Sequence, residues 1–133
     1  MNSVWESEYK SKQGNIGLGQ AISYYMSQGY MVAIPINDTQ PYDLIVDRLD
    51  GTGLKRVSVK TTRTKNRGKY LVDLRSSGGN KSRYINKDFD KSSCDIVFVY
   101  TIEDNIWEFP CEEINNSTAI SLECQKYIKF KKK

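Results

Sequence analysis

Three polar residues near the middle of the chain, Asp43, Ser58 and Lys60, have the types and spacing that phosphodiester hydrolysis needs. They lie in two segments with the alternation of β-strands, residues 42–47 and 54–62, and an Asp-Gly turn signal separates the two. A hairpin at this turn brings Asp43 towards Ser58 and Lys60. An acid that holds a hard cation beside a lysine suits attack on a phosphate, because the cation polarises the phosphate and the ammonium balances charge in the transition state.

The chain has no histidine, and this absence narrows the chemistry. It removes Ser-His-Asp triads, Cys-His nucleophile pairs and histidine-bound zinc. Cys94, Cys111 and Cys124 are far apart and fit no zinc pattern, so we expect reduced thiols in a cytosolic compartment. Hydrolysis therefore has to rest on carboxylates, lysine and a hard metal ion. Alternating polar residues on a hairpin also fit a strand that simply faces solvent, so the pattern alone leaves both interpretations open.

The net charge of +4 is concentrated in the centre of the chain. Residues 55–91 contain twelve Lys or Arg and three Asp, whereas residues 1–54 contain three basic and six acidic residues. This segment favours a polyanionic partner such as nucleic acid, although charge alone fits a solvated surface equally well. The residues that we expect to contact DNA are Arg63, Lys65, Arg67, Lys69, Arg75, Lys81 and Arg83.

The pattern of the 133 residues predicts a single α/β domain in which an N-terminal helix precedes a mixed central β-sheet flanked by helices. The helix ends near Gly29, and its apolar stripe consists of Leu18, Ala21, Ile22, Tyr25 and Met26. Strands are predicted at residues 30–36, 42–47, 54–62, 70–74, 95–101 and 106–110, with Pro35 marking an edge strand.

Two further segments are expected to lack regular structure. Residues 76–91 are polar and predict a mobile loop, and residues 127–133 predict a frayed basic tail. The sequence has no apolar run long enough for a membrane span and no secretory signal at its start. We therefore expect a cytoplasmic protein without a membrane partner.

Several segments resemble the PD-(D/E)XK endonuclease superfamily in their order and spacing. They are Gly14-Asn15-Ile16-Gly17, the helix leading to Gly29-Tyr30-Met31-Val32, Pro35, Tyr42-Asp43-Leu44-Ile45-Val46 and Val57-Ser58-Val59-Lys60-Thr61-Thr62. The likeness continues through residues 95–100 and 107–110, and so covers about residues 10–115. Within the superfamily it is strongest to a small group that includes an intron-encoded homing endonuclease, and the outline is similar to archaeal-type Holliday junction resolvases.

The resemblance implies a restriction-endonuclease-like core and a role for each matching residue. Asp43 is the metal-binding acid, Val59 offers its backbone carbonyl to the metal, and Lys60 is the catalytic lysine. Ser58 stands where the family has Glu, Asp or Gln, so it is expected to contribute only a hydroxyl to catalysis and to the metal. The implied cofactor is Mg²⁺, with Mn²⁺ as an alternative. The family also tends to place a Glu on the first helix where this chain has Leu18.

These features leave more than one function open. The first is a metal-dependent DNA endonuclease, homing-endonuclease-like or junction-resolvase-like, that acts on double-stranded or branched DNA as a homodimer or homotetramer. The second is a DNA-binding protein that keeps the nuclease fold but has a degenerate, inactive site, and Ser58 and Leu18 favour it. A third is an RNA- or protein-binding factor with an incidental cationic loop.

Overall fold

The structure is a computed structural model that describes residues 3–37, 39–78 and 85–133, with the backbone alone for residues 3–11, 76–78 and 85–86. Lys81 and Arg83, two of the residues predicted to contact DNA, lie outside the described part of the chain. None of its helices there is long and apolar enough to cross a lipid bilayer.

The chain begins with one long helix, α1 (Ser3–Ser27), which ends where the sequence predicts. Gly29 follows with a φ of +82°, a conformation that glycine adopts without steric cost. The amide of Tyr30 then donates to the Tyr25 carbonyl at 3.1 Å, and the amide of Gly29 donates to the Met26 carbonyl at 3.0 Å. This pair of bonds satisfies the last carbonyls of the helix and turns the chain into the sheet.

Within the residues that the structure describes, ten strands follow α1 and form three sheets. In chain order they are β1 (Met31–Ala33), β2 (Leu44–Asp47), β3 (Leu54–Thr62), β4 (Lys65–Asn66), β5 (Lys69–Asp73), β6 (Ser76–Gly78), β7 (Ile85–Lys87), β8 (Ile96–Thr101), β9 (Ile106–Pro110) and β10 (Ala119–Ser121). The main sheet is mixed, with the order β1-β2-β3-β8-β9, and β3 and β8 are its parallel pair. A small sheet has the order β10-β5-β4, and β6 pairs with β7. The predicted helix and mixed central sheet are confirmed, and β1 lies at an edge.

The main sheet separates two apolar cores, and β8 shows how. Phe98 and Tyr100 pack with α1 on one face, whereas Val97 and Val99 pack with the small sheet on the other. Successive side chains of a strand point to opposite faces, so an uninterrupted apolar run suits a strand that is covered on both sides. Within the described residues, the second face is covered by strands and not by the helices that the sequence predicts.

Three local expectations differ from the structure. Met26 is 62% exposed, because α1 turns Tyr24 towards the sheet, with its ring 5.6 Å from that of Phe98. The segment expected to be an irregular loop contains the paired strands β6 and β7. The basic tail is not frayed: the Lys132 amide donates to the Ile106 carbonyl at 2.7 Å, and a 3₁₀ turn over Ile128–Phe130 precedes it.

Candidate active site

Asp43 lies directly before β2, at the end of the β2–β3 hairpin away from its turn. Its amide donates to the Val57 carbonyl at 2.8 Å, and its carboxylate Oδ2 accepts a hydrogen bond from the Val59 amide at 2.7 Å. Both contacts are to β3, so the acid is fixed to the strand that carries Lys60. The residue remains exposed, which leaves its carboxylate accessible from solvent.

The main chain of β3 has two sides, and only one of them is turned towards β8. The carbonyls of Arg56 and Thr62 accept from Asp95 and Ile102 on the β8 side, whereas the Val57 carbonyl accepts from Asp43 on the β2 side. Because amide and carbonyl directions alternate along a strand, the Val59 carbonyl points towards β2. The pairing of β2 with β3 ends at Leu44 and Val57, so this carbonyl lies beyond the last pair and beside Asp43.

Ser58 and Lys60 share one face of β3, and their burial differs. They pair with Val97 and Val99 of β8, whose side chains belong to the core under the small sheet. Ser58 is only 6% exposed, whereas Lys60 is half-buried. The alternation predicted for β3 is present, but its polar face is covered by the small sheet and does not simply face solvent.

The Lys60 ammonium lowers the pKa of two acids, Asp43 and Asp73. Reduced hydration among the surrounding protein atoms raises the pKa of Asp43, and the Val59 hydrogen bond and the Lys60 ammonium lower it to a smaller extent. The pKa of Asp73 on β5 is lowered, mainly by its hydrogen bonds to Arg75 and more weakly by Lys60. Lys60 therefore has a carboxylate within electrostatic range on each of two strands, and Asp73 is an acid that the sequence pattern did not single out.

Helix α1 contacts Thr61, near the C-terminal end of β3, through Gly17 and Gln13. A Cβ on Gly17 would overlap Thr61 Oγ1, so only glycine permits this approach. One turn earlier, Gln13 Nε2 donates to the Thr61 carbonyl at 3.2 Å. Leu18, where the family tends to have Glu, packs against the apolar core on the α1 face. Gln13 thus lies beside Thr61, the residue after Lys60. The apolar stripe did not predict this contact, because the contact depends on the close approach of Gly17 to Thr61.

The oxygen donors at this site fit a hard, hydrated cation better than a tightly caged one. Asp43 contributes one carboxylate, Val59 one carbonyl and Ser58 one hydroxyl, and Mg²⁺ accepts such oxygen ligands while keeping several waters. The described part of the chain has no group of three or more His, Cys, Asp or Glu side chains that could hold a metal ion. A cation bound here would therefore have few protein ligands, and water would complete its coordination.

The predicted DNA-binding residues that the structure describes differ in how far their charge is neutralised. Lys65 forms an ion pair with Glu103 at 2.8 Å, and Arg75 forms one with Asp73 at 3.1 Å. Arg63 is exposed on the segment that follows β3.

Arg67 and Lys69 form the tip of a tight hairpin. Lys65 pairs with Tyr70 and Asn66 with Lys69, which leaves Arg67 and Gly68 as a two-residue turn. Their φ values of +54° and +77° suit the turn type that joins strands most tightly. The basic segment that follows β3 is thus a projecting hairpin, with Arg67 and Lys69 exposed at its end.

Comparison with known proteins places this geometry in context. The family described as PD-(D/E)XK endonuclease matches residues 9–132. The solved structure of a bacterial homing endonuclease, I-Ssp6803I, superposes with a TM-score of 0.77 at 24% sequence identity, covering 91% of this chain and 87% of that one. No curated protein sequence matches the chain.

Proposed function

Because this chain belongs to the PD-(D/E)XK endonuclease family, we propose that it is a metal-dependent DNA endonuclease that hydrolyses phosphodiester bonds. One observation carries the proposal. The Asp43 carboxylate is held by the amide of Val59, the residue immediately before Lys60. An exposed acid directly before β2 and a half-buried lysine on β3 are thereby kept within electrostatic range of each other.

Each residue of the site has a defined part in this proposal. Asp43, the Val59 carbonyl and the Ser58 hydroxyl hold Mg²⁺, or Mn²⁺ in its place. When bound, the cation lowers the pKa of water and polarises the phosphate. The Val59 amide orients the Asp43 carboxylate by occupying one of its oxygens, and Lys60 balances the negative charge that develops on the phosphate.

The proposed substrate is double-stranded or branched DNA, as expected of a homing-endonuclease-like or junction-resolvase-like enzyme. The projecting hairpin with Arg67 and Lys69 lies on the segment that follows Lys60 and supports this choice. Lysine and arginine at such a position add affinity for phosphates without choosing a sequence. One domain carries one site, so cutting both strands calls for a homodimer or homotetramer. We propose that it acts in the cytoplasm.

A second candidate function is a DNA-binding protein whose nuclease site is inactive. The burial of Ser58 favours it, because a hydroxyl with 6% exposure supplies no charge and has little freedom to move towards a cation. Leu18 favours it too, since its side chain is committed to the core on the α1 face. Both candidates share the same DNA surface and differ only in turnover.

Cleavage of three substrates separates the two candidates. Purified protein is incubated with supercoiled plasmid, a synthetic four-way junction and random-sequence duplex, each with Mg²⁺, with Mn²⁺ or with a chelator. The Asp43→Ala variant is the test, and Asp47→Ala, which removes another acid from the end of β2, is the matched control. Metal-dependent nicking that disappears only in Asp43→Ala supports the endonuclease. Retarded DNA without cleavage under every metal condition supports the inactive binding protein.

A further inference from the structure

Two buried thiols meet beside the start of β8 and the end of β9. Cys94 precedes β8 and Cys111 follows β9, and their Sγ atoms are 2.7 Å apart. Each residue is 2% exposed. The Cys111 amide donates to the Asp95 carbonyl at 3.0 Å, so the ladder between β8 and β9 fixes the two cysteines side by side.

We propose that Cys94 and Cys111 form a redox-active dithiol, which hydrogen peroxide or a similar two-electron oxidant converts to an intramolecular disulfide. Exchange and condensation of thiols require that one sulfur reach the other, and here the fold has already brought them together. Cys124 packs against the same core and is a third free cysteine, so it provides an internal comparison. This modification site does not depend on the proposed nuclease function.

The oxidation balances with one molecule of hydrogen peroxide. The Cys94 thiolate attacks a peroxide oxygen and breaks the O–O bond, which gives a sulfenic acid at Cys94 and, after protonation, one water. The Cys111 sulfur then attacks the Cys94 sulfur, forms the S–S bond and expels the sulfenic oxygen as a second water. Together the two thiols lose two protons and two electrons, and the peroxide accepts both pairs.

A cavity beside the pair supports this assignment. Its volume is about 650 Å³, and its wall includes Cys94 and Cys111 together with the cations Arg48, Lys55, Arg56 and Lys91. A small oxidant can therefore approach the pair without unfolding of the sheet. Positive charge also favours a thiolate. The pKa of Cys94 is lowered, chiefly by its hydrogen bond with Cys111, against the opposing effect of burial, and Arg56 adds to the lowering.

The disulfide has a defined structural consequence. It links Cys94, two residues before β8, to Cys111, directly after β9, and so closes the hairpin that these two strands form. Asp95, the neighbour of Cys94, holds Arg56 of β3 through a salt bridge of 3.2 Å. The bond therefore lies next to the contact that joins β3 to β8 at this end of the sheet.

Thiol counting on the folded protein tests the proposal. The native chain is treated with a small excess of hydrogen peroxide, the peroxide is removed, the remaining thiols are alkylated while the chain is unfolded in denaturant, and intact mass and peptide maps are recorded. We expect the three thiols to fall to one, a mass loss of two hydrogens, a single Cys94–Cys111 linked peptide and full reversal by dithiothreitol. Retention of three thiols, or a linked peptide that contains Cys124, would overturn the assignment.

Two variants and an unfolded control complete the test. Cys124→Ser is expected to form the same linked peptide and to end with no alkylatable thiol. Cys111→Ala is expected to form no intramolecular disulfide and to accumulate oxidised Cys94 instead. Chain oxidised in denaturant should give a mixture of pairings, which shows that the fold directs the pair. A wild-type peptide map that is equally mixed in the folded state contradicts the proposal even if a variant fails to fold.

Discussion

The Asp43 carboxylate accepts a 2.7 Å hydrogen bond from the backbone amide of Val59, the residue before Lys60. A backbone donor is fixed by the sheet, so the acid is positioned by β3 itself and not by a flexible side chain. The same bond occupies one carboxylate oxygen and lowers the pKa of Asp43 against the opposing effect of reduced hydration. This one contact therefore positions the acid and offsets part of the rise in its pKa.

As the pH is lowered, cleavage activity is expected to fall at a higher pH than it would for an aspartate with an ordinary pKa. The pKa of Asp43 is raised, with reduced hydration as the main cause, and only the ionised carboxylate suits a cation. Activity is therefore present above this raised pKa and lost as the pH falls through it. The check is the rate of plasmid nicking from neutral to acidic pH, with Asp43→Asn inactive throughout. A rate that stays constant down to the usual aspartate range would contradict this role.

Ser58→Asp should strengthen metal binding and weaken the fold. A second carboxylate beside Asp43 adds a charged oxygen ligand, but Ser58 is 6% exposed and has little room for extra atoms. Overfilling such a position costs about 1–3 kcal/mol. Ser58→Asn is the control, because asparagine is nearly equal in volume to aspartate but carries no charge. This variant should lose similar stability without a change in metal affinity. The measurements are the Mg²⁺ dependence of nicking and the melting temperature, and equal metal dependence in both variants would count against the placement of Ser58.

Gly17→Ala is expected to destabilise the protein, whereas Gly19→Ala, in the same helix, is not. A Cβ on Gly17 would overlap Thr61 Oγ1, and relieving such an overlap costs about 1–3 kcal/mol. A Cβ on Gly19 meets no atom within 4 Å, so the higher helix propensity of alanine should add about 0.5–1 kcal/mol. Urea unfolding measures both. Thr61→Ala should recover part of the loss in the Gly17 variant and leave the Gly19 variant unaffected.

The close packing of Gly17 also shows what the sequence pattern could and could not predict. Alternation and helical spacing depend on local apolar periodicity, and they predicted α1 and the strands β2, β3, β8 and β9. The approach of Gly17 to Thr61, and with it the position of Gln13, depends on how α1 crosses the sheet. That packing joins residues far apart in the chain, and no local period encodes it.

Coverage of the second face by strands was unpredictable for a similar reason. Ile120 and Leu122 are buried against β8 and β9. However, β10 has only three residues, which is too few for an alternating pattern to distinguish a strand from a turn. The sequence pattern likewise did not indicate that Asp73 lies near the site, because it is one polar residue in a short strand. Its electrostatic link to Lys60 arises because β5 returns beside β3.

Lys69 and Lys65 should differ in their contribution to DNA binding, although they are neighbours in the same hairpin. Lys65 pairs with Glu103 at 2.8 Å, whereas no described residue forms an ion pair with Lys69. Removing one lysine that neutralises a phosphate lowers the slope of log affinity against log salt by about 0.9 for duplex DNA. We expect this decrease for Lys69→Gln and a smaller one for Lys65→Gln. Binding titrations at several salt concentrations provide the check, with Lys126→Gln as a control outside the hairpin, and equal slopes for all three would place the DNA elsewhere.

Asp95→Asn should destabilise the protein at neutral pH and lose this effect in acid. The Asp95 carboxylate accepts from the Arg56 amide at 2.8 Å and from its guanidinium at 3.2 and 3.3 Å, which joins β8 to β3 across 39 residues of sequence. Arg56 lowers the pKa of Asp95, so the contribution to stability is present above the pKa of the unfolded chain and disappears as the pH falls through the lower folded value.

The expected loss is about 1 kcal/mol, because both side chains keep more than a third of their exposure and solvent screens the pair. Asp73→Asn is the matched control, since its bonds to Arg75 span only two residues and hold no distant strands together. Urea unfolding at neutral and strongly acidic pH distinguishes the two variants. If Asp95→Asn remained equally destabilised in acid, the loss would come from packing or from the Arg56 amide bond and not from the charge of the carboxylate.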